Sequence, residues 1–199
     1  ELGVDFELVV HPFDKTLRQP EHIARSPAGR VPALEIDGQA MFESGAIIEV
    51  LCARFPEAGL GRSAGDPEWP EWLMWIHFAE TLSQHVAALT QQHIMLYDDD
   101  MRSPVVMKLE AARAAKCFDA IEARLVESGE YLLKSGFSAA DTAVGQAVYL
   151  AKHYVRLGNR PCLTGWYDRI TARPAFQASL PPEGAELLYA EEFYEPWDA

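Results

Sequence analysis

Residues 29–48 read Gly-Arg-Val-Pro-Ala-Leu-Glu-Ile-Asp-Gly-Gln-Ala-Met-Phe-Glu-Ser-Gly-Ala-Ile-Ile. This order predicts a strand, a tight turn, a second strand and the start of a helix. Asp37-Gly38 is typical of a hairpin turn, because glycine readily adopts the positive φ that such turns need. Ser44 is the predicted N-cap of the helix, whose unpaired first-turn N–H groups suit a carboxylate.

The residues before this stretch predict further elements of the same mixed domain. Residues 6–10 alternate in polarity like a strand, and residues 1–4 resemble the last turn of a helix that ends at Gly3. We therefore expect an N-terminal piece of the fold to precede Glu1. Residues 20–25 predict a short helix with proline in its first turn.

The residues after this stretch predict helices alone. Glycine and proline are frequent between residues 57 and 67, which indicates a domain boundary there. Four helices are then expected: a long one capped by Asp66 that reaches about Met95, one from Ser103-Pro104 to about Ser128, one opened by a capping box of Ser138 and Asp141, and a shorter one at 163–172.

Two apolar surfaces on these elements need a cover. The helix from Asp66 carries apolar residues on two faces, so we expect one face to meet its own bundle and the other to meet the first domain or a second subunit. The C-terminal tail from Pro181 is also apolar and is expected to fold back onto the protein. Its apolar residues are Leu187, Leu188, Tyr189, Phe193, Tyr194 and Trp197.

Composition excludes several classes of function. The chain of 199 residues carries 30 acidic and 17 basic side chains, a formal net charge of −13, which argues against binding nucleic acid or an anionic membrane. No apolar run is long enough to span a membrane, and no signal peptide is visible. The three cysteines, Cys52, Cys117 and Cys162, lie far apart in sequence and indicate a reducing, cytoplasmic compartment.

No metal site is predicted. His77, His85 and His93 recur every eight residues, so the three side chains span about 160° of a helix, too wide an arc for one metal ion. Metal-ligand pairs on helices stand three or four residues apart. Cys52 is expected to be a buried structural thiol, because the C-terminal end of a helix disfavours a thiolate.

The opening stretch, in combination with a second motif, resembles the glutathione S-transferase family. Val31-Pro32-Ala33-Leu34 and Glu43-Ser44-Gly45-Ala46-Ile47 match recurring motifs of its glutathione-binding half, at the family's spacing. Residues 138–141, Ser-Ala-Ala-Asp, match the cap of a helix in its second domain, although Thr142 follows where the family usually has an aliphatic residue. The resemblance to bacterial-type cytosolic members implies a thioredoxin-like α/β domain, about 1–58 and lacking its first strand and helix, and an all-helical domain, about 66–199.

The same resemblance implies roles for individual residues. Pro32 would be cis, and the backbone of Val31 would pair with the cysteinyl part of glutathione. Glu43 and Ser44 would hold the γ-glutamyl end, and Arg30 can meet the glycyl carboxylate. The catalytic Ser, Tyr or Cys is expected upstream of Glu1, so its identity is open.

The function implied is conjugation of the glutathione thiolate to a small, partly apolar electrophile, in a detoxifying homodimer. The electrophile is expected between the domains, near Trp75 and Phe78. Two alternatives stay open. One is a glutathione-dependent reductase, peroxidase, isomerase or ether-cleaving enzyme on the same fold. The other is a non-catalytic interaction module, against which the presence of Glu43 and Ser44 argues.

Overall fold

The computed structural model describes residues 1–12 and 14–195. The chain divides into two compact units, Glu1–Ser63 and Ala64–Ala199. The first unit is a small α/β unit and the second consists of helices and their connections.

The first unit is built on an antiparallel hairpin. Strand β1, Ala33–Ile36, pairs with strand β2, Gln39–Phe42, in a register that sets Ala33 opposite Phe42. Both strands lie in the stretch where the sequence predicted them. Asp37 and Gly38 take φ values of 51° and 76°, and two successive positive φ angles are the signature of a tight hairpin turn.

Helices precede and follow this hairpin. Helix α1, Pro20–Ile23, comes after a 3₁₀ turn at Thr16–Arg18, and helix α2, Ser44–Arg54, comes directly after β2. The prediction of Ser44 as N-cap was wrong by one residue. Glu43 occupies the N-cap position with a φ of 72°, and Ser44 is the first helical residue.

The predicted strand at residues 6–10 was wrong, and so was the predicted helix end at residues 1–4, since neither segment has regular structure. The alternating pattern identifies residues that suit a strand, but a strand forms only when a neighbour supplies hydrogen bonds. The sheet of this unit contains β1 and β2 alone among the described residues. Phe6, Leu8, Val9 and Val10 are accordingly exposed.

Cys52 is buried under the chain that leaves α2. A Cβ placed on Gly61 would lie 2.7 Å from the Cβ of Cys52, so only glycine allows this close approach. Burial raises the pKa of the Cys52 thiol to about 11. The thiol is therefore protonated at neutral pH, which confirms the expectation of a structural cysteine.

The second unit contains five α-helices among its described residues. They are α3, Trp69–Thr90; α4, Pro104–Ser128; α5, Ala139–Ala151; α6, Pro161–Thr171; and α7, Pro174–Ser179. Helix α3 starts two residues later than predicted, with Glu68 rather than Asp66 at its N-cap. The Asp66 carboxylate accepts from the Glu68 N–H at 2.8 Å and the Asp66 carbonyl from the Trp69 N–H at 3.0 Å, which closes a separate turn before the helix.

The core of this unit lies where α3 packs against α4 and α5. Leu82, Phe118, Val144 and Trp166 are among its fully buried side chains. The predicted capping box of α5 is present. The Ser138 side chain accepts from the backbone of the first turn, and the Asp141 side chain accepts from the backbone N–H of Ser138. A π-helical turn, Gln91–Met95, ends α3, where a longer α-helix was expected.

The C-terminal tail folds back onto α3 and the end of α5, as expected. The Tyr189 ring stacks on His153 with centroids 4.5 Å apart, and the Tyr194 N–H donates to the His153 carbonyl at 2.7 Å. The Tyr189 hydroxyl lies 3.0 Å from the Thr90 hydroxyl. Trp197, which the sequence assigned to the same apolar tail, lies outside the described residues.

A buried contact between His85 and Glu110 joins α3 to α4. His85 Nδ1 lies 2.7 Å from a Glu110 carboxylate oxygen, and Arg113 binds the other oxygen. Burial raises the pKa of Glu110, but hydrogen bonds from His85 and Arg113 outweigh burial and hold it below its ordinary value of 4.5. Because the folded pKa is depressed, the stabilisation is present above about pH 4.5 and is lost as pH falls through the folded pKa.

Glu110→Gln should therefore destabilise the protein at pH 7 by about 1.5 kcal/mol, since a hydrogen-bonded buried charge is removed. The deficit should shrink as pH falls from 5 towards 3, because the wild-type carboxylate is then itself protonated. Urea unfolding at a series of pH values measures both effects. Glu127→Gln, on the exposed side of α4, is the matched control. A deficit that stays constant with pH would contradict the assignment.

Candidate functional site

The open end of the β1–β2 hairpin brings together the motifs that the sequence singled out. The last paired residues at this end are Ala33 and Phe42. Pro32 directly precedes β1 and Glu43 directly follows β2, so Val31-Pro32 and Glu43-Ser44 both leave the hairpin at this end. Two segments that lie twelve residues apart in sequence are thus neighbours because the hairpin folds them together.

Val31 stands two residues before the first residue of β1, next to Pro32. The Val31–Pro32 peptide bond is cis, as the resemblance implied, and Val31 is 59% exposed. Pro32 stands immediately before β1, where a sheet tolerates a residue that has no N–H. A ligand that lies extended along Val31 would continue the strand geometry of β1.

Glu43 has an unusual backbone conformation. Its φ of 72° and ψ of 108° lie in a region that glycine occupies easily and other residues avoid, and such residues cost about 1–3 kcal/mol. Its carbonyl accepts the first intrahelical bond, from the Ile47 N–H at 3.0 Å. Its exposed side chain makes no capping bond to α2, so the carboxylate is not used to close the helix.

Ser44 begins an eleven-residue helix. The first N–H groups of an α-helix have no acceptor within the helix, and the helix dipole makes that end positive. The exposed Ser44 hydroxyl adds a donor beside them. A ligand that ends in an α-amino acid group could place its carboxylate at the donors of Ser44 and its ammonium group at the carboxylate of Glu43.

The backbone of Arg30 is fixed by two side chains that the sequence analysis did not select. His22 Nε2 lies 3.0 Å from the Arg30 carbonyl oxygen, and the Ser26 hydroxyl accepts from the Arg30 N–H at 3.4 Å. His22 and Ser26 are both buried, while the Arg30 side chain is exposed. No sequence signal could identify these bonds, because every residue carries a backbone carbonyl and residue type does not indicate which one is hydrogen-bonded.

Trp75 and Phe78, the predicted substrate-pocket residues, belong to the second unit and lie on α3. Their rings meet edge to face with centroids 4.9 Å apart. Trp75 is buried and Phe78 is half-buried. The Trp75 indole N–H is buried without a hydrogen-bond partner among the described residues.

Neither a metal site nor a membrane span is found in the part of the chain that the structure describes. Within residues 1–12 and 14–195, no group of three or more His, Cys, Asp or Glu side chains is placed to hold a metal ion. Nor does any helix there combine the length and hydropathy that crossing a bilayer requires. His85 and His93, two of the evenly spaced histidines, instead contact Glu110 and Tyr154.

Solved structures share this two-part fold. A glutathione transferase homologue from Lodderomyces elongisporus, solved with two glutathione molecules per subunit, superposes with a TM-score of 0.77 over 88% of this chain and 86% of its own, at 21% identity. Glutathione transferase F7 of Populus trichocarpa superposes with a TM-score of 0.74 at 27% identity and covers 89% of this chain and 87% of its own. The fold is thus a thioredoxin-like α/β unit followed by an all-helical unit.

Sequence comparison leads to the same family. The family model of the glutathione S-transferase N-terminal domain matches residues 1–59. Glutathione S-transferase 4 of Zea mays is 32% identical over 194 residues, which cover 93% of this chain and 86% of the maize protein. The chain belongs to the glutathione S-transferase family, and it is an enzyme of that family.

Proposed function

We propose that this protein binds glutathione at the open end of the hairpin and transfers its thiolate to a small, partly apolar electrophile. The observation that carries the proposal is the pairing of β1 with β2, because Val31-Pro32 and Glu43-Ser44 both extend from the same end of that hairpin. Relatives solved with reduced or oxidised glutathione bound support the choice of co-substrate.

Each part of the tripeptide has a chemical partner at this end. The Ser44 hydroxyl and the first N–H groups of α2 receive the α-carboxylate of the γ-glutamyl end. Glu43 pairs with the neighbouring ammonium group. The backbone of Val31 pairs with the cysteinyl residue as an added strand would, and Arg30 receives the glycyl carboxylate.

Transfer needs the thiolate rather than the thiol. A free thiol with a pKa of about 8.5 is only a few per cent ionised at pH 7. A hydroxyl donor that lowers this pKa by about two units makes the thiolate predominant, which corresponds to about 2.7 kcal/mol. In this scheme the tripeptide is held by Arg30, Val31, Glu43 and Ser44. None of these residues is proposed as the hydroxyl donor that lowers the pKa of the thiol.

The electrophile is proposed to lie near the Trp75 and Phe78 rings, because paired aromatic rings suit a flat apolar molecule. We also propose that the protein forms a homodimer in the cytoplasm. Met74 leaves an apolar side chain exposed on α3, as a face covered by a second subunit would. Three cysteines without disulfide bonds fit a reducing compartment.

Ser44→Ala should weaken glutathione binding about tenfold, because one charge-assisted hydrogen bond to the carboxylate is lost. Isothermal titration calorimetry with reduced glutathione measures the change, and Ser63→Ala, also exposed in the first unit, is the matched control. Mass spectrometry of the product from glutathione and an aryl halide distinguishes a thioether from a disulfide. No binding by the wild type at millimolar glutathione would refute the proposal, and a disulfide product would favour a redox enzyme.

A further inference from the structure

His22 makes a buried contact beside the proposed glutathione site. Its ring is 4% exposed, and its Nε2 lies 3.0 Å from the carbonyl oxygen of Arg30. A carbonyl oxygen only accepts hydrogen bonds, so Nε2 carries the proton and donates. We propose that His22 is a positioning residue for glutathione: it orients the Arg30–Val31 peptide so that the Val31 N–H faces the ligand. This inference rests on the proposed function.

The reason lies in the geometry of a single peptide unit. The Arg30–Val31 peptide is trans, and a trans peptide is planar with its C=O and N–H on opposite sides. When His22 holds the Arg30 carbonyl from the interior, the Val31 N–H is turned the other way. Val31 is exposed, so this N–H is available to an acceptor such as the cysteinyl carbonyl of an extended tripeptide.

The surroundings of His22 keep this orientation fixed. The His11 ring meets the His22 ring edge to face, with centroids 4.9 Å apart. The buried Ser26 hydroxyl accepts from the Arg30 N–H, so both backbone groups of Arg30 have partners. Gly29, with a φ of 62°, turns the chain here, and a Cβ on it would lie 3.0 Å from the Leu17 carbonyl oxygen.

A separate contact holds the same loop to the sheet and offers a control. Arg25 Nε donates to a Glu35 carboxylate oxygen on β1 at 2.6 Å, and an Arg25 amino group donates to the Glu21 carbonyl at 3.0 Å. These bonds attach the loop without contacting Arg30. Loss of Arg25 therefore loosens the loop, whereas loss of the His22 donor frees the Arg30–Val31 peptide itself.

The test compares His22→Leu, His22→Gln and Arg25→Met in the full chain. His22→Leu should raise the Kd for reduced glutathione about fivefold, the effect of one hydrogen bond. His22→Gln, whose amide N–H can reach the place of Nε2, should stay within about twofold of the wild type. Arg25→Met should also stay within about twofold, because the peptide keeps its orientation.

A ligand analogue separates positioning from a general loss of structure. In this analogue a trans alkene replaces the cysteinyl–glycyl peptide bond of glutathione, which removes the acceptor for the Val31 N–H without adding a charge. The wild type should bind the analogue about fivefold more weakly than glutathione. His22→Leu should bind glutathione and the analogue equally, because the effects of His22 and of the ligand carbonyl are coupled through the same hydrogen bond. Equal effects of His22→Leu and Arg25→Met, or no rescue by His22→Gln, would overturn the inference. If the wild type does not bind glutathione, the proposed function itself fails.

Discussion

Replacing Asp141 by alanine is expected to lower the free energy of unfolding by about 3–5 kcal/mol, which is a large part of the stability of a domain. The carboxylate of Asp141 is fully buried. One oxygen accepts from the Leu132 N–H and the Trp166 indole N–H, each at 2.9 Å. The other accepts from the Ser138 N–H at 2.9 Å.

The size of this effect follows from what the substitution leaves behind. Burial raises the pKa of Asp141, and the donors of Leu132, Trp166 and Ser138 act against that rise by favouring the charged form. Alanine would leave three buried N–H groups without an acceptor, each at a cost of about 1–3 kcal/mol before the site relaxes. The cap of α5 would be lost as well.

Chemical unfolding of the wild type and of Asp141→Ala, followed by circular dichroism, measures the difference. Asp141→Asn keeps the shape but turns an amide N–H towards the donors, so it should fall between the two. Asp168→Ala, on the exposed face of α6, is the matched control and should change stability by less than about 0.5 kcal/mol. A loss below about 1 kcal/mol for Asp141→Ala would contradict the role of the network.

Features whose partners lie close in sequence were predictable. The capping box of α5 joins residues three apart, and the β1–β2 turn is fixed by Asp37 and Gly38 alone. The pairing of that hairpin then places Val31 and Ser44 at the same end, so the neighbourhood of the candidate site also followed from local sequence. The role of each residue in binding glutathione stays a prediction.

Features that depend on distant partners were not predictable. Residues 6–10 have the pattern of a strand, but the pattern does not show whether a neighbouring strand is present to pair with them. His85 meets Glu110 across 25 positions of sequence. His22 binds a backbone carbonyl, which every residue type carries. In each case the sequence specifies the group but not its partner.

Replacing Glu43 by alanine or by glycine is expected to weaken glutathione binding about 30-fold, because each change removes the carboxylate that pairs with the ligand ammonium. The two variants should nevertheless differ in stability. Alanine keeps a side chain at a φ of 72° and a ψ of 108°, whereas glycine adopts these angles without strain. After its greater freedom in the unfolded chain is counted, glycine should be more stable than alanine by about 1 kcal/mol.

Calorimetry with glutathione and with an analogue that lacks the α-amino group tests the binding role of Glu43. The wild type should discriminate between the two ligands by about 30-fold. Both variants should bind the two ligands almost equally, because they lack the carboxylate that pairs with the α-amino group. Glu57→Ala, an exposed glutamate of the same unit, is the matched control. Unchanged discrimination in Glu43→Ala would remove Glu43 from the site. Equal stability of the two variants would show that the backbone at Glu43 is not strained, and would contradict the expected difference of about 1 kcal/mol.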